Sequence, residues 1–492
     1  MPDKGSITNS KIYLILFLIS FAIVFCSSYN PINFRIMYVD SSVYITIAQG
    51  ITRGQLPYRD FVDNKGPLTY LMSVPGLFIG GFTGVWLTEL LIIFISAIFA
   101  FKTALFFGNQ YEALFGTAFS FVALVAFFLV NAGTEEYSLP FLMISLYIFT
   151  KYFFSGKKDV AFYELIALGA CFACAVLIRL NMFSLWAGFC IIIFFNLLIK
   201  RQLIFLGKYI VFFSLGIIII FLPIYFYLKT NGIFDLFIEQ VIFAGTARGF
   251  GGSNLKMLQK TFFIVLGRGN SALPLWLGIF FILKKYKQSD FTYYLGYTFS
   301  YFLMVLFLSF SEGGAHYNFV LIPFFPPALT YLTRIISSIF QDRKNKHVLV
   351  AFLFLCIFSE SLIRYFYYLT NRLYDNSGNH LYNAGKIIDD NTKTDDKIIS
   401  LGINGYIYPF TKRSSASKYF YQGSGISEIP GAREEFLFDI LTAKPVIITT
   451  VTEGGRDEII PDWHEPILEL IKSDYHLLSD ENGFIIFRRN YQ

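Results

Sequence analysis

Residues 38–71 read YVDSSVYITIAQGITRGQLPYRDFVDNKGPLTYL and place Asp40, Arg53, Arg59, Asp60, Asp63 and Lys65 in one connection beside a long apolar run. Two positions have residue types and spacing that could do chemistry. Asp40 precedes Ser41 and Ser42, which can cap a helix, and VYITIAQGITR then carries apolar residues at helical spacing as far as Gly54, a C-terminal stop. A carboxylate at a helix N-terminus is stabilised in its ionised form and stays available as a general base; the alternative is an Asp that only caps. Further on, Gly66 and Pro67 break the chain and begin another helix, leaving Asp63 and Lys65 on the turn before it. Backbone N–H groups at a helix start, together with a lysine ammonium, make an anion site suited to phosphate; the alternative is a solvated turn.

The elements that must position these groups are membrane helices. The chain of 492 residues is 55% hydrophobic and only 15% charged, with a mean hydropathy of +0.55. That composition excludes an ordinary soluble domain and indicates an α-helical polytopic membrane protein. A span needs about 20 apolar residues. Windows of that kind fall near 12–29, 84–107, 111–131, 137–154, 161–179, 182–199, 204–228, 262–283, 291–310, 318–339 and 348–369, about 11 transmembrane helices. Residues 67–80 are apolar but short and contain Pro75, which predicts a helix lying in the interface. The first run lacks a small-x-small cleavage site and is expected to be a retained anchor.

The net charge of +6 is spread over span ends without a basic patch, so no nucleic-acid partner is expected. All five cysteines fall in apolar segments. No disulfide framework is expected, and the Cys171–Cys174 pair is assigned to helix packing.

With the N-terminus in the cytoplasm, the inner connections hold cations such as Lys151, Lys157, Lys158, Lys200, Arg201, Lys284, Lys285 and Arg343, while the short outer connections near 131–137 and 311–317 hold none. This is the positive-inside pattern. It sends every connection with unusual chemistry to the outer side. These are the loop 30–83, NAGTEEY with Glu135 and Glu136, RLN with Arg179, the segment 229–261, and SEGGAHYN with His316. Five such loops on one side point to a shared site, although Arg179 could instead snorkel, His316 could bond within its loop, and the two glutamates could be a solvated pair. Glu89 and Arg268 lie inside apolar windows and are expected near the outer boundary, where they can pair with the site.

The composition reverses after residue 370. KIISLG, PVIITTV and GFIIFRR read as strands and 380–391, 432–443 and 464–473 as helices, which makes residues 371–492 a small soluble α/β domain. An odd number of spans puts it outside the membrane, with residues 1–370 as the transmembrane domain.

The acidic residue after the first span, the PYRDF element and DNKGPLTY (residues 63–70) resemble the membrane glycosyltransferases of GT-C type that include protein O-mannosyltransferases and the aminoarabinose transferase of lipid A. GGAHYNFVLIPFFPPAL (residues 313–329) is similar to the late element of the Rgt-like sugar transferases. The family usually shows Lys-Pro-Pro where this chain has Lys65, Gly66 and Pro67. The resemblance implies a transferase in the cytoplasmic (inner) membrane that moves a sugar from a polyprenyl-phosphate donor to a glycan, lipid or protein acceptor at the outer face. Asp40 would then be the base, with Lys65, Arg179 and His316 around the donor phosphate and Asp63, Glu135 and Glu136 as acidic partners. No cofactor is expected, while Glu135, Glu136, Asp63 and His316 have the donor chemistry for a divalent ion. A polysaccharide polymerase or ligase, or a flippase-type transporter of lipid-linked glycans, is the alternative. A polymerase usually carries its main basic loop late in the chain, and a transporter puts polar groups at midplane.

Overall fold

The computed structural model describes residues 8–32, 39–125, 132–155, 160–244, 263, 272–285, 291–309, 315–340, 346–374, 377–403, 405–423, 426, 429–453, 456–457, 462–481 and 483–490. Its first half runs through α1 (Asn9–Val24), α2 (Val39–Thr52), α3 (Pro67–Leu71), α4 (Val74–Ala104), α5 (Gln110–Val125), α6 (Thr134–Phe154), α7 (Phe162–Ile178), α8 (Ser184–Ile199) and α9 (Leu203–Thr230). A short α10 (Phe234–Phe237) passes into a π turn, Ile238–Ala244. Then come α11 (Leu273–Lys285), α12 (Phe291–Ser309), a 3-10 segment Ala315–Phe324 entering α13 (Phe325–Ile339), α14 (Lys346–Ile357) and α15 (Ser359–Tyr374).

A helix occupies each of the eleven apolar windows, but not as eleven full spans. Among the described residues six helices are long and apolar enough to cross a membrane, and a seventh span results if residues 348–357 and 359–370, bent by 74°, count as one. α1 and α7 are shorter apolar helices. The interfacial helix expected over 67–80 is instead α3 followed by the first turns of α4, which continues into the bundle across a kink at Gly80 and Gly81. Pro75 sits in the first turn of α4, where a missing N–H costs nothing.

In a lipid bilayer helices gain little from burying apolar side chains, so close backbone approach carries the packing. α7 and α9 meet in this way: a Cβ on Gly169 would lie 1.9 Å from the Phe213 carbonyl oxygen, and one on Gly216 2.0 Å from that of Ile166. The remaining faces of α9 expose Ile210, Val211, Ile218, Phe221 and Phe226, as a lipid-facing helix does.

The tail has the expected α/β composition. Helices α16 (Ser377–Asp390), α17 (Ala432–Ala443) and α18 (Glu465–Asp474) pack with strands β1 (Lys397–Leu401), β2 (Ser414–Ser415), β3 (Ile447–Glu453), β4 (Arg456–Asp457), β5 (Tyr475–Glu481) and β6 (Phe484–Arg489). The sheet order is β2-β1-β3-β6-β5, with β4 on β3. β1 runs parallel to β2 and β3, while β6 is antiparallel to β3 and β5. This unit lies on the end of the bundle that carries residues 39–71. Phe61 meets Phe420 edge-on at 5.4 Å, the Val62 N–H donates to the Lys418 carbonyl at 3.0 Å, and the Gly405 N–H donates to Ser42 Oγ at 3.1 Å.

Candidate active site

The site begins with α2. Its end is the one expected: Gly54 takes φ +85°, the Gly54 N–H donates to Ile51 O and the Gln55 N–H to Gly50 O, a Schellman closure. Its start differs. The helix already includes Val39, and Ser42 Oγ donates back to the Val39 carbonyl at 2.6 Å while accepting from the Gly405 N–H, so Ser42 ties α2 to the tail. Asp40 stands exposed in the first turn, at the positive end of the helix dipole. Arg59 and Asp60, by contrast, pair with each other at 2.8 Å on the surface, with Asp60 Oδ2 also accepting the Leu56 N–H at 2.7 Å.

Asp63 is buried, and both of its carboxylate oxygens are used. Tyr70 Oη donates to Oδ2 at 2.7 Å and Tyr421 Oη to Oδ1 at 3.1 Å. The Asp63 N–H donates to Gln240 Oε1 at 3.3 Å, and Gln240 Nε2 donates to the Tyr58 carbonyl at 2.7 Å. Tyr58 has a left-handed backbone, φ +66°, an unusual conformation for a bulky residue that the surroundings must impose. In that conformation its hydroxyl donates to the Lys65 carbonyl at 2.8 Å, where Tyr70 Oη also reaches at 3.2 Å. Burial, with Asp63 next in importance, pushes both phenols well above the ordinary tyrosine value and keeps them as donors.

This clasp fixes the Lys65 backbone and leaves its half-buried side chain on Asn64 Oδ1 at 2.5 Å. The helix-start anion site expected beyond it is not formed as expected. α3 has five residues, and the Gly66 N–H is spent on the Ile178 carbonyl at 3.2 Å, so only the lysine ammonium remains from that reading. The same contact accounts for glycine at 66. A Cβ there would lie 1.9 Å from the Leu177 carbonyl oxygen, and a proline would also lose the N–H.

The turn therefore rests on the C-terminus of α7, and the next residue is Arg179. Its guanidinium pairs with Glu135 at the start of α6 and lies over the Tyr317 ring, 4.3 Å from the centroid. Thr134 Oγ1 donates to the other Glu135 oxygen at 2.9 Å. Arg179 is thus a partly buried ion-pair partner instead of a snorkelling cation, and Glu135 and Glu136, 8% and 3% exposed, are not a solvated pair. Tyr44 on α2 senses four of the charged groups. Burial first, then Asp40, Asp63 and Glu135, raise its phenol well above the ordinary value, with Arg179 opposing.

Contacts thus join all five of the expected loops: residues 39–71 with Gln240, the α7 terminus with 63–69, Arg179 with Glu135, and Arg179 with Tyr317. His316 lies in the 3-10 segment immediately before Tyr317; its side chain and Arg268 fall outside the described residues. Glu89 is fully buried in α4, where it accepts from Ser27 Oγ at 2.5 Å and from the Ala132 N–H at 2.7 Å.

Sequence reasoning missed Tyr44, Tyr58, Tyr70, Gln240, Tyr317 and Tyr421. The only signal was the density of tyrosines around the charged loop, and nothing in the sequence points from Tyr421 to Asp63. Among the described residues no three His, Cys, Asp or Glu side chains gather as metal donors. Asp63 and Glu135 are occupied by tyrosines, threonine and arginine, which does not fit a divalent-ion site built on them.

The family model for the competence-induced protein Ccs4 N-terminal domain matches residues 4–371. The chain belongs to that family. No curated protein matches it in sequence. Among solved structures, this Ccs4-family chain is similar to ArnT from Cupriavidus metallidurans, an aminoarabinose transferase, in the apo state (TM-score 0.60, 10% identity, 98% of each chain). It is also similar to the same protein bound to undecaprenyl phosphate (TM-score 0.59, 10% identity, 97% of this chain and 96% of that one). A third neighbour is the oligosaccharyltransferase AglB from Archaeoglobus fulgidus, in complex with an inhibitory peptide and a dolichol-phosphate. There the TM-score is 0.51 at 11% identity, over 96% of this chain and 73% of that one. The shared fold is GT-C, as the loop motifs implied.

Proposed function

We propose that the chain is a glycosyltransferase that moves a sugar from a polyprenyl-phosphate donor to a cell-envelope glycan, lipid or protein acceptor at the outer face of the cytoplasmic membrane. The observation that carries this reading is the convergence of Asp40, Lys65 and Arg179 at one end of a bundle with the GT-C fold. Support comes from the similarity of nearly the whole chain to ArnT, which has been solved with undecaprenyl phosphate bound. The charge asymmetry of the loops favours an outward orientation of that end.

In this reading the acceptor hydroxyl oxygen forms the new bond to the anomeric carbon as the bond from that carbon to the phosphate oxygen breaks. The hydroxyl proton passes to Asp40, and the polyprenyl phosphate leaves with an added negative charge. The Lys65 ammonium and the remaining N–H groups of Arg179 compensate that charge. Arg179 suits a double duty, because its planar fork can hold Glu135 along one edge and offer the other. In this reading Asp63, Glu135 and Glu136 support the frame, and His316, in the segment that carries Tyr317, is assigned to the donor phosphate.

The test is mass spectrometry of surface glycans from cells lacking the chain. One sugar residue should be missing from one acceptor and return with the wild-type chain. Unchanged glycans, with no transfer by the purified chain from any polyprenyl-phosphate sugar, would sink the reading.

A further inference from the structure

The tail is not attached to the loop by a tether alone; the two share hydrophobic cores. One core combines Val43, Tyr44, Ile47, Tyr58 and Phe61 of the loop with Leu381, Ile398, Tyr408, Phe420 and Ile447 of the tail. A second holds Val62 among Ile399, Leu401, Tyr419, Phe436 and Ile448. Between these cores run the polar ties. Val62 N–H to Lys418 O lies one residue before Asp63, and Tyr421 Oη to Asp63 Oδ1 lies on it. Gln49 Nε2 adds a bond to the Pro409 carbonyl at 3.3 Å, and a Cβ on Gly405 would stand 3.5 Å from the Ser42 carbonyl.

Asp63 is thus held by three segments far apart in sequence: Tyr70 from α3, Gln240 from the π turn after α9, and Tyr421 from the tail. Two residues later comes the lysine whose carbonyl is held by Tyr58 and by the same Tyr70 that bonds Asp63. A carboxylate with one tyrosine on each oxygen has a fixed plane, and removing one donor frees it to rotate or to attract the neighbouring ammonium. Asn64 competes for that ammonium at present.

We propose that the C-terminal domain completes the donor site, with Tyr421 as a positioning residue that holds the Asp63–Lys65 turn in the form that presents the Lys65 ammonium. This rests on the transferase reading of the site. The soluble domain then has a defined role, since the turn is set only when the domain is docked, and donor binding and docking reinforce each other. Tyr421 itself contacts neither sugar nor acceptor in this scheme and acts through Asp63.

The experiment uses the full chain in lipid nanodiscs with Tyr421→Phe, Asp63→Asn and the double variant. Hydrogen exchange is followed by mass spectrometry over residues 61–66, and KM and kcat are measured with polyprenyl-phosphate sugars. Tyr421→Phe keeps the ring and its packing. It should speed exchange at 61–66 while leaving β1, β3 and β6 protected. It should also raise the donor KM about tenfold, the loss expected for one hydrogen bond to a carboxylate, with kcat changed less than about threefold. Adding Tyr421→Phe to Asp63→Asn should change KM by less than about twofold, because the contact is already altered. Unchanged exchange in Tyr421→Phe overturns the proposal, as does a fall in kcat at constant KM or full additivity of the two substitutions. If the wild-type chain transfers no sugar, the transferase reading fails on its own, and the exchange arm still decides whether Tyr421 sets the turn.

Discussion

Removing Glu135 should cost the protein far more than removing a surface charge, because its partner stays behind in a poorly solvated place. The Arg179 and Glu135 side chains are only 14% and 10% exposed, so the typical surface value of about 0–1 kcal/mol does not apply. Breaking a buried pair from one side costs about 3–5 kcal/mol, since the remaining charge keeps its desolvation penalty without its counter-charge. The Tyr317 ring under the guanidinium, 4.3 Å away, offsets about 1 kcal/mol of this, leaving roughly 3 kcal/mol for Glu135→Ala. The double variant Glu135→Ala with Arg179→Met removes both desolvated charges and fills the space with an apolar chain. It should be less damaging than either single change, with a coupling of about 2–3 kcal/mol. Equilibrium unfolding in mixed micelles, titrated with dodecyl sulfate, measures all four forms. A loss below about 1 kcal/mol for Glu135→Ala, or a double variant as unstable as the sum of the singles, would refute the ion-pair account.

Asp40→Asn should preserve folding, since Asn serves a helix start about as well as Asp, and should lower turnover at least about a hundredfold if the carboxylate is the base; near wild-type transfer by the purified variant would move the base elsewhere. Lys65→Ala should weaken use of the polyprenyl-phosphate sugar more than Lys65→Arg, in steady-state assays of both, because arginine keeps the charge. Gly66→Ala should destabilise the chain, since its Cβ would meet the Leu177 carbonyl oxygen at 1.9 Å; a melting temperature equal to wild type would show that the turn does not rest on α7. His464 is fully buried against Trp463, with no hydrogen-bond partner for either ring nitrogen among the described residues, and burial pushes its imidazole down from 6.5 to about 4. Between those values the unfolded chain binds a proton that the folded chain does not. Stability is therefore lost as pH falls from about 6.5 to about 4, by roughly 3 kcal/mol at most, and His464→Phe should flatten that slope in pH-dependent unfolding.

The elements were legible where the pattern is local. Apolar run length located the described helices that fall in the eleven windows, but not α3 or α10, and Gly54 marked the end of α2 because a left-handed stop leaves a glycine in the sequence. The strands β1, β3 and β6 announce themselves by consecutive isoleucines and phenylalanines, whereas β5, YHLLSDE, is mostly polar and outward-facing and carries no such signal. The span count was less legible. Hydropathy reports that a run prefers lipid, but not that α14 and α15 bend by 74° between them. For the site, charge near the membrane pointed to Asp40, Asp63, Lys65, Glu135 and Arg179, because an ionised group beside lipid is costly and must be retained for a reason. What charge could not report is the pairing. Arg179 with Glu135 and Tyr421 with Asp63 are contacts across 44 and 358 residues, and no single sequence encodes such a distance.

The pairing is also what separates support from chemistry at this end of the bundle. Glu89 is answered by a serine and a backbone amide, Asp63 by two tyrosines, and Glu135 by arginine and threonine. Each of these carboxylates has given lone pairs on both oxygens to the protein, which fixes its plane and leaves little of it to meet a substrate. Asp40 differs: it is exposed at the start of α2 and makes no hydrogen bond with a described residue. A base must stay uncommitted until its substrate arrives, whereas a frame must be committed before it. By that criterion the paired carboxylates Glu89, Asp63 and Glu135 suit a frame, and the proposal that Asp40 takes the proton rests on its exposure at the start of α2.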